Sequence, residues 1–404
     1  MIVLVLNCGS SSLKYRLIQM PAERELAGGE ARGVGPPTAS VPCIVHRSNG
    51  KRTMREVKMP DHAEAFQQVM KLLLENEDHR PDMLGHRIVH GGSLFTDPVV
   101  VDGKALKKLE KTAGLAPLHN PPAIELIRAC RKFYPELPQV AVFDTAFHAT
   151  IPACAYTYAL PLKQAARLGI RKYGFHGTSH QYVTGETSRF LGIAPERFNG
   201  VSCHLGSGGA SLCAVVNGKS MDNTMGYSPL QGLVMSTRCG DLDPAVVLKL
   251  LHHTHGSTIE LEKILNKRSG VLGLSGDSAE IRDVFASVLN SSDPQRRKSL
   301  TAEVYLWRLR KYLGAYLTLV GKADAVIFTD SIGENVPLVR WAVCADMESF
   351  GLKMDLEKNE KPGSLPADIA AESSMVRILV VSTNEELAIA QQTAATLSAN
   401  GGRK

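Results

Sequence analysis

At 404 residues, with 44% hydrophobic and 21% charged residues, the chain has an ordinary globular composition and the length of two domains. A net charge of +6 spread over scattered basic residues excludes a nucleic-acid stripe, and the RRKS run at Arg296 and the terminal GGRK read as solvated surface. No apolar stretch approaches the ~20 residues of a membrane span, and eight irregularly spaced cysteines without C-x-x-C fit a reduced, cytoplasmic chain.

In chain order, MIVLVLN is apolar without a basic leader, so it reads as a strand and not a signal peptide. It pairs with LKYRLIQM as a hairpin around Asn-Cys-Gly-Ser-Ser-Ser. A plain hairpin needs no such run; three serines beside a glycine supply hydroxyls and close backbone N–H groups, the usual means of holding a phosphate. Cys8 in this turn reads as a small packing residue. GGEARGVGPPTAS (28–40) and KNEKPGSLPADIAAESS (358–374) read as turn-rich surface connections. HAEAFQQVMKLLLEN puts Phe66, Val69, Met70, Leu73 and Leu74 on one helical face. MLGHRIVHGG and QVAVFDTAFH are short apolar strands with polar ends, and PPAIELIRACRKFY between them is a helix opened by proline.

From Val201, VSCHLGSGGASLCAVVNGKS repeats the opening pattern of strand, Gly/Ser turn and strand. Two such hairpins suggest a duplicated unit whose turns converge on one cleft, a gap that a polyphosphate spans. ADAVIFT then runs into DSIGENVPLVRWAV, a strand-to-helix turn suited to phosphate or ribose.

No P-loop, protein-kinase set or G-x-S-x-G is present. The pairs His86/His90 and His176/His180 lack the glutamate of a zincin, and HHTH (252–255) reads as an exposed helix end. What does recur is cations and carboxylates beside turn residues at strand ends: Arg87, His119, Asp144, His176, Arg238 and Glu385. Acids to hold Mg²⁺ and cations to neutralise a moving phosphoryl group describe a phosphoryl-transfer site.

NCGSSSLKY, HRIVHGG, PLHNPP, FDTAFHATIP, RKYGFHGTSHQYV, GKSMDNTMGYSPLQGL, TRCGDLDP, SGVLGLSG and TNEEL resemble the acetate kinases, in that family's order along nearly the whole chain. The resemblance implies an α/β fold of two duplicated ribonuclease-H-like (actin-like ATPase) domains with a central cleft. Residues 1–150 plus 384–404 would form the first, closed by the C-terminal helix, and 151–383 the second, nucleotide-binding and dimerising. It further implies a cytoplasmic homodimer that uses Mg²⁺, or Mn²⁺, to interconvert acetate plus ATP with acetyl phosphate plus ADP. Propionate kinase is the near alternative. An actin- or chaperone-like ATPase switch is disfavoured because the length leaves no separate client-binding domain, and a sugar kinase because the implied pocket is small and apolar.

By matched positions, Arg87 and Arg238 would bind the carboxylate and the developing phosphoryl charge, for which arginine has planar, bidentate donors. His176, with His119 behind it, would donate to phosphoryl oxygens. Asn7 and Glu385 would orient the metal ion, mostly through water. A carboxylic acid with a pKa near ~4–5 is already an ionised nucleophile at neutral pH, so Asp144 reads as an organiser of Arg87, the metal or both. Val89, Leu118, Phe175 and Pro229 would line the methyl pocket, with Val89 expected on the same strand face as Arg87. Nucleotide contacts would come from Ser12, Lys14, His204, Gly206, Ser207, Gly208, Asp330, Ser331, Ile332, Gly333, Glu334 and Asn335. Two motifs depart from the family. FTDSIGEN has Asp330 and Ser331 where the family shows two glycines, and HLGSGGAS has Ser207 for asparagine and one glycine more. The first departure restricts close backbone approach to the nucleoside and leaves the phosphoryl donor open, pyrophosphate included.

Overall fold

Val3, Leu4, Val5 and Leu6 are buried at the centre of a sheet, as an apolar strand without alternation should be when both its faces are covered. The computed structural model describes residues 1–36, 41–289 and 296–401. It divides into two units, Met1–Phe147 with Asn384–Lys404 and His148–Thr383.

The first unit contains strands β1 (Ile2–Cys8), β2 (Ser12–Gln19), β3 (Arg24–Arg32), β4 (Cys43–Ser48), β5 (Lys51–Glu56), β6 (Met83–Ile88), β7 (Val99–Val100) and β8 (Gln139–Phe143). Their order is β5-β4-β3-β2-β1-β6-β8-β7. β1 to β5 form an antiparallel meander, β6 and β8 run parallel to β1, and β7 closes the edge antiparallel. Helices α1 (His62–Leu73) and α2 (Asn120–Phe133) pack on one face. Asp61 caps α1 by accepting the Glu64 N–H at 2.8 Å, and prolines occupy the first turn of α2. The C-terminal helix Glu385–Gly401 packs over β1, β6 and β8. Gly85 admits it there, since a Cβ would stand 2.5 Å from the Thr393 hydroxyl and 3.1 Å from Ile389.

The second unit has β9 (Gly200–Leu205), β10 (Ala210–Val216), β11 (Lys219–Asn223), β12 (Ala325–Thr329), β13 (Ala367–Asp368) and β14 (Arg377–Val380), in the order β11-β10-β9-β12-β14-β13. It repeats the first unit from β3 to β7: an antiparallel three-strand meander, two strands parallel to its first, and a two-residue antiparallel edge. The duplicated α/β unit inferred from the two Gly/Ser hairpins is therefore present in strand order and direction. Helix α3 (Gly177–Leu191) lies against β9 and β12, α4 (Arg296–Val320) against β9 and β10, and α5 (Asp330–Asn335) follows β12 directly. No helix among the described residues is long and apolar enough to cross a membrane.

Three expectations are corrected. The stretch at 358–374, expected as a surface connection, contains β13, and Ile369 and Ala370 after it are fully buried. Leu74 stands beyond α1 as its C-cap and stays 42% exposed, because the helix ends one residue earlier. The stretch at 28–40 opens as strand, not connection: Gly28 to Arg32 complete β3, and residues 37–40 lie outside the described residues. The glycines misled because β3 must pass close to its neighbours. A Cβ on Gly29 would overlap the Val45 carbonyl and stand 2.6 Å from the Tyr15 hydroxyl.

Gly29→Ala should therefore destabilise the protein by about 1–3 kcal/mol, the usual cost of overpacking. Gly28→Ala, whose nearest neighbour is the mobile end of Glu25 at 2.8 Å, should cost distinctly less. Thermal melts of both variants provide the check, and equal losses would refute the steric account.

Candidate active site

Parallel strands gather side chains at their carboxyl ends, the ordinary place for a ligand in such sheets. In the first unit, Asn7 is near the end of β1, Arg87 near the end of β6, and Asp144 directly follows β8. The Asp144 N–H donates to the Ile88 carbonyl at 3.0 Å, so the carboxylate is set beside Arg87. Arg87 Nη2 and Nε donate to Asp144 at 2.7 and 3.1 Å, and Nη1 to Asn7 Oδ1 at 3.4 Å; Glu385, at the start of the C-terminal helix, lies 3.7 Å away. Burial works against the Arg87 charge, but Asp144 and Glu385 outweigh it and hold the guanidinium well above its ordinary range. Asn7, Arg87 and Asp144 are thus joined by hydrogen bonds, with Glu385 added to the group by its ion pair to Arg87.

The serine turn joins β1 to β2, with the Gly9 N–H on the Ser12 carbonyl at 2.8 Å and Ser10 and Ser11 exposed. Burial pushes the Cys8 thiol up to about 12, so it is an inert packing residue. Lys14 is not on the turn. It stands on the open face of β2, in a cavity of about 440 Å³ with Arg16, Arg32, Arg47 and Arg52. Val89 is corrected too: β6 ends at Ile88, so Val89 is a half-buried bend residue rather than a strand neighbour of Arg87. Leu118 is 58% exposed, and His119 caps α2. Asn120, buried beside it, exchanges hydrogen bonds with the backbone of His90 at 2.8 and 3.2 Å, pinning the strand end after Arg87. Sequence reasoning passed over Asn120; its position between His119 and two prolines was the only signal.

In the second unit, the turn between β9 and β10 is closed by the Gly206 N–H on the Gly209 carbonyl at 3.0 Å. A Cβ on Gly209 would stand 3.5 Å from both Arg238 Nη1 and the His176 ring, so the guanidinium and the imidazole flank one glycine. Arg238 is half-buried, donates only to the Pro229 carbonyl at 3.3 Å and the Met235 sulfur at 3.8 Å, and has no carboxylate within ion-pair distance among the described residues. Burial alone lowers its pKa. His204 bridges Ser179 at 2.9 Å and Asp330 at 3.2 Å, and the Ser207 N–H donates to Ser331 Oγ at 2.9 Å. Glu334 accepts the Asp330 N–H at 2.9 Å and the Ser382 hydroxyl at 2.7 Å, so its carboxylate clips α5 to the loop after β14. Ile332 is fully buried, Arg340 donates to the Gly333 and Glu334 carbonyls at 2.9 Å each, and Asn335 turns back to the Ser331 carbonyl at 3.0 Å. Gly208 accepts from Ser236 at 3.3 Å.

His176 caps α3 at φ 57°, a left-handed position that non-glycine residues hold mainly where surroundings enforce it. A line of hydrogen bonds enforces it: His176 Nδ1 to Ser211 Oγ at 2.9 Å, Ser211 to His180 Nε2 at 2.8 Å, and His180 Nδ1 to Ser202 at 2.9 Å. Burial holds His180 well below the usual histidine range, so it is neutral and the line links its tautomer to that of His176. His148 Nε2 donates to the Phe175 carbonyl at 2.9 Å and fixes the residue before His176; Phe175 itself is buried. Sequence reasoning missed Ser211 and His148, and weighed His180 only as half of a metal pair. Ser211 resembles any small strand residue, and nothing local marks its reach across the fold.

Burial lowers His148 to about 4 while an unfolded histidine titrates near 6.5. Between those values the unfolded chain binds a proton that the folded chain refuses, so stability falls as the pH drops below ~6.5. His148→Gln should remove about 2 kcal/mol of the stability lost between pH 7 and pH 5. Urea titrations at both pH values test this; an unchanged pH dependence would show that His148 is not kept neutral.

A model described as the acetokinase family matches residues 2–391. An acetate kinase of Clostridium acetobutylicum is 43% identical over 96% of this chain and 97% of its own length. Among solved structures, acetate kinase of Porphyromonas gingivalis gives a TM-score of 0.91 at 38% identity, covering 98% of this chain and 99% of that one. A propionate kinase from Francisella tularensis gives 0.89 at 37% identity, with 98% and 99% coverage.

Proposed function

Because the chain belongs to the acetokinase family, we propose that it transfers the γ-phosphoryl group of ATP reversibly to acetate, giving acetyl phosphate and ADP. The observation that carries this reading is Arg238, a half-buried cation without a carboxylate partner among the described residues, set with His176 against a glycine of the β9–β10 turn. A transferring phosphoryl group spreads negative charge over three oxygens, and fixed cations are what lower its barrier.

In the proposed reaction an acetate oxygen attacks the γ-phosphorus, and the bond to the β-phosphate oxygen breaks, leaving its electron pair on ADP. Acetate is ionised already, so no general base is needed. Asp144 accordingly serves as the anchor that holds the Arg87 guanidinium flat, and Arg87 offers its remaining donors to the acetate carboxylate. Val89, Leu118, Phe175 and Pro229 are assigned to the methyl group; the 58% exposure of Leu118 leaves apolar surface available for it. Arg238 and His176 take the phosphoryl oxygens, with His119 supporting. Ser12, Lys14, His204, the Gly206–Ser207–Gly208 turn and residues 330–335 are assigned to the nucleotide.

A kinase of this family requires a divalent cation. Asn7 and Glu385 both offer hard oxygen donors next to Arg87, and no cluster of three or more His, Cys, Asp or Glu that could cage a metal occurs among the described residues. That donor set fits Mg²⁺, or Mn²⁺ in its place, since Mg²⁺ keeps its waters and takes one or two protein oxygens together with substrate phosphates. When bound, the ion supplies neutralising charge to the donor phosphates. We further assign the protein to the cytoplasm as a homodimer. Trp307, 76% exposed, and Leu319, 58% exposed, leave apolar surface on α4 that a second copy would cover.

Trapping of acyl phosphate with hydroxylamine tests the function. Product should require both acetate and MgATP, with propionate the poorer acceptor; ATP hydrolysis indifferent to acetate would refute the reading and favour an ATPase switch. In the same assay Arg238→Ala should lose on the order of 10³-fold or more in kcat. A near-normal kcat with only a raised acetate KM would assign Arg238 to ground-state binding instead.

A further inference from the structure

Asp330 holds φ +65°, a left-handed position where glycine is the usual residue. Its carboxylate turns back onto the β9–β10 turn. Oδ2 lies 3.2 Å from His204 Nε2 and presses on Gly206 so closely that a Cβ there would overlap it. Oδ1 accepts the Ser331 N–H at 2.6 Å, and the Ser331 hydroxyl accepts the Ser207 N–H at 2.9 Å. One backbone donor of the glycine-rich turn, the Ser207 N–H, a group of the kind that ordinarily receives phosphate, is thus already held by a side-chain oxygen of the chain. Beside the same turn stands the Asp330 carboxylate, still 33% exposed.

We infer that Asp330 and Ser331 are internal competitors for the donor's phosphates, and that they set this chain's affinity for its phosphoryl donor. The inference rests on the reading that the β9–β10 turn receives that donor. An arriving phosphate has to free the Ser207 N–H from Ser331 and to bring negative charge beside the Asp330 carboxylate. The effect is electrostatic as well as steric, so it grows with the charge of the donor: free nucleotide is opposed more strongly than its magnesium complex. His204 is drawn into the same contest, because Asp330 holds the Nε2 that would otherwise be free to face a phosphate. Crowding of the nucleoside is not needed to explain the effect, since both side chains point to the turn that holds phosphate.

The test is direct binding of ADP, with and without Mg²⁺, by calorimetry, alongside the ATP and acetate KM values. Asp330→Asn removes the charge and keeps the bulk. Asp330→Gly removes both and suits the positive φ, so it should fold. Ser331→Ala frees the Ser207 N–H. Loss of one like charge at a partly exposed site is worth on the order of tenfold, so Asp330→Asn should tighten free ADP by about that factor and MgADP by less. Asp330→Gly should do at least as well, Ser331→Ala should tighten ADP by a smaller factor, and acetate KM should stay unchanged. An Asp330→Asn protein that binds ADP no better than the wild type overturns the charge assignment, and unchanged or weaker binding in all three variants overturns the inference. ADP affinity is read without turnover. A wild-type protein that binds ADP yet makes no acyl phosphate would sink the proposed function and leave this inference standing.

Discussion

Parallel pairing is the constraint on which the rest depends. β1, β6 and β8 must end on the same side of one sheet, as β9, β12 and β14 must in the other. Residues far apart in sequence are therefore neighbours wherever they adjoin those ends: Asn7, Arg87 and Asp144 in one unit, His204, Asp330 and Thr383 in the other. Parallel strands also need crossovers that cover both faces, which is why β8 and β12 are buried at every position. The expectation that all the candidate cations sit at strand ends is corrected, since Arg238 lies in the loop after β11, His176 caps α3 and His119 stands at the start of α2.

Charge compensation then distinguishes two arginines that look alike in sequence. Arg87 is one-fifth exposed and carries its counter-ions with it, Asp144 at 2.7 Å and Glu385 at 3.7 Å. A guanidinium held this way is oriented, and the cost of removing it from water is offset within the protein. Arg238 has a carbonyl and a thioether instead. No carboxylate among the described residues stands within ion-pair distance to offset its charge. Neutral histidines complement this arrangement, because His180 and His148 hold position through hydrogen bonds without adding charge.

Much of the architecture was legible locally. The two Gly/Ser hairpins, the proline-opened α2, the buried face of α1 from Phe66 to Leu73 and the strand-to-helix turn after Thr329 all follow from periodicity and turn chemistry. Gly28 and Gly29 were illegible for a physical reason: glycine in a turn and glycine in a crowded strand are the same letter, and only the Tyr15 ring and the Val45 carbonyl tell them apart. Val89 failed on a margin of one residue, since alternation predicts a face only while the strand continues.

What the sequence determined by itself was family membership, the order of elements and the residue types at the strand ends, because these depend on neighbours a few positions away or on motifs that stay intact. Only the tertiary structure decided which of those residues are partnered. Ser211 reaching both His176 and His180, Asn120 clasping the backbone of His90, and Asp330 lying on Gly206 each join segments from different elements. Such contacts are set by strand register and helix placement, which the whole core fixes and no local pattern encodes.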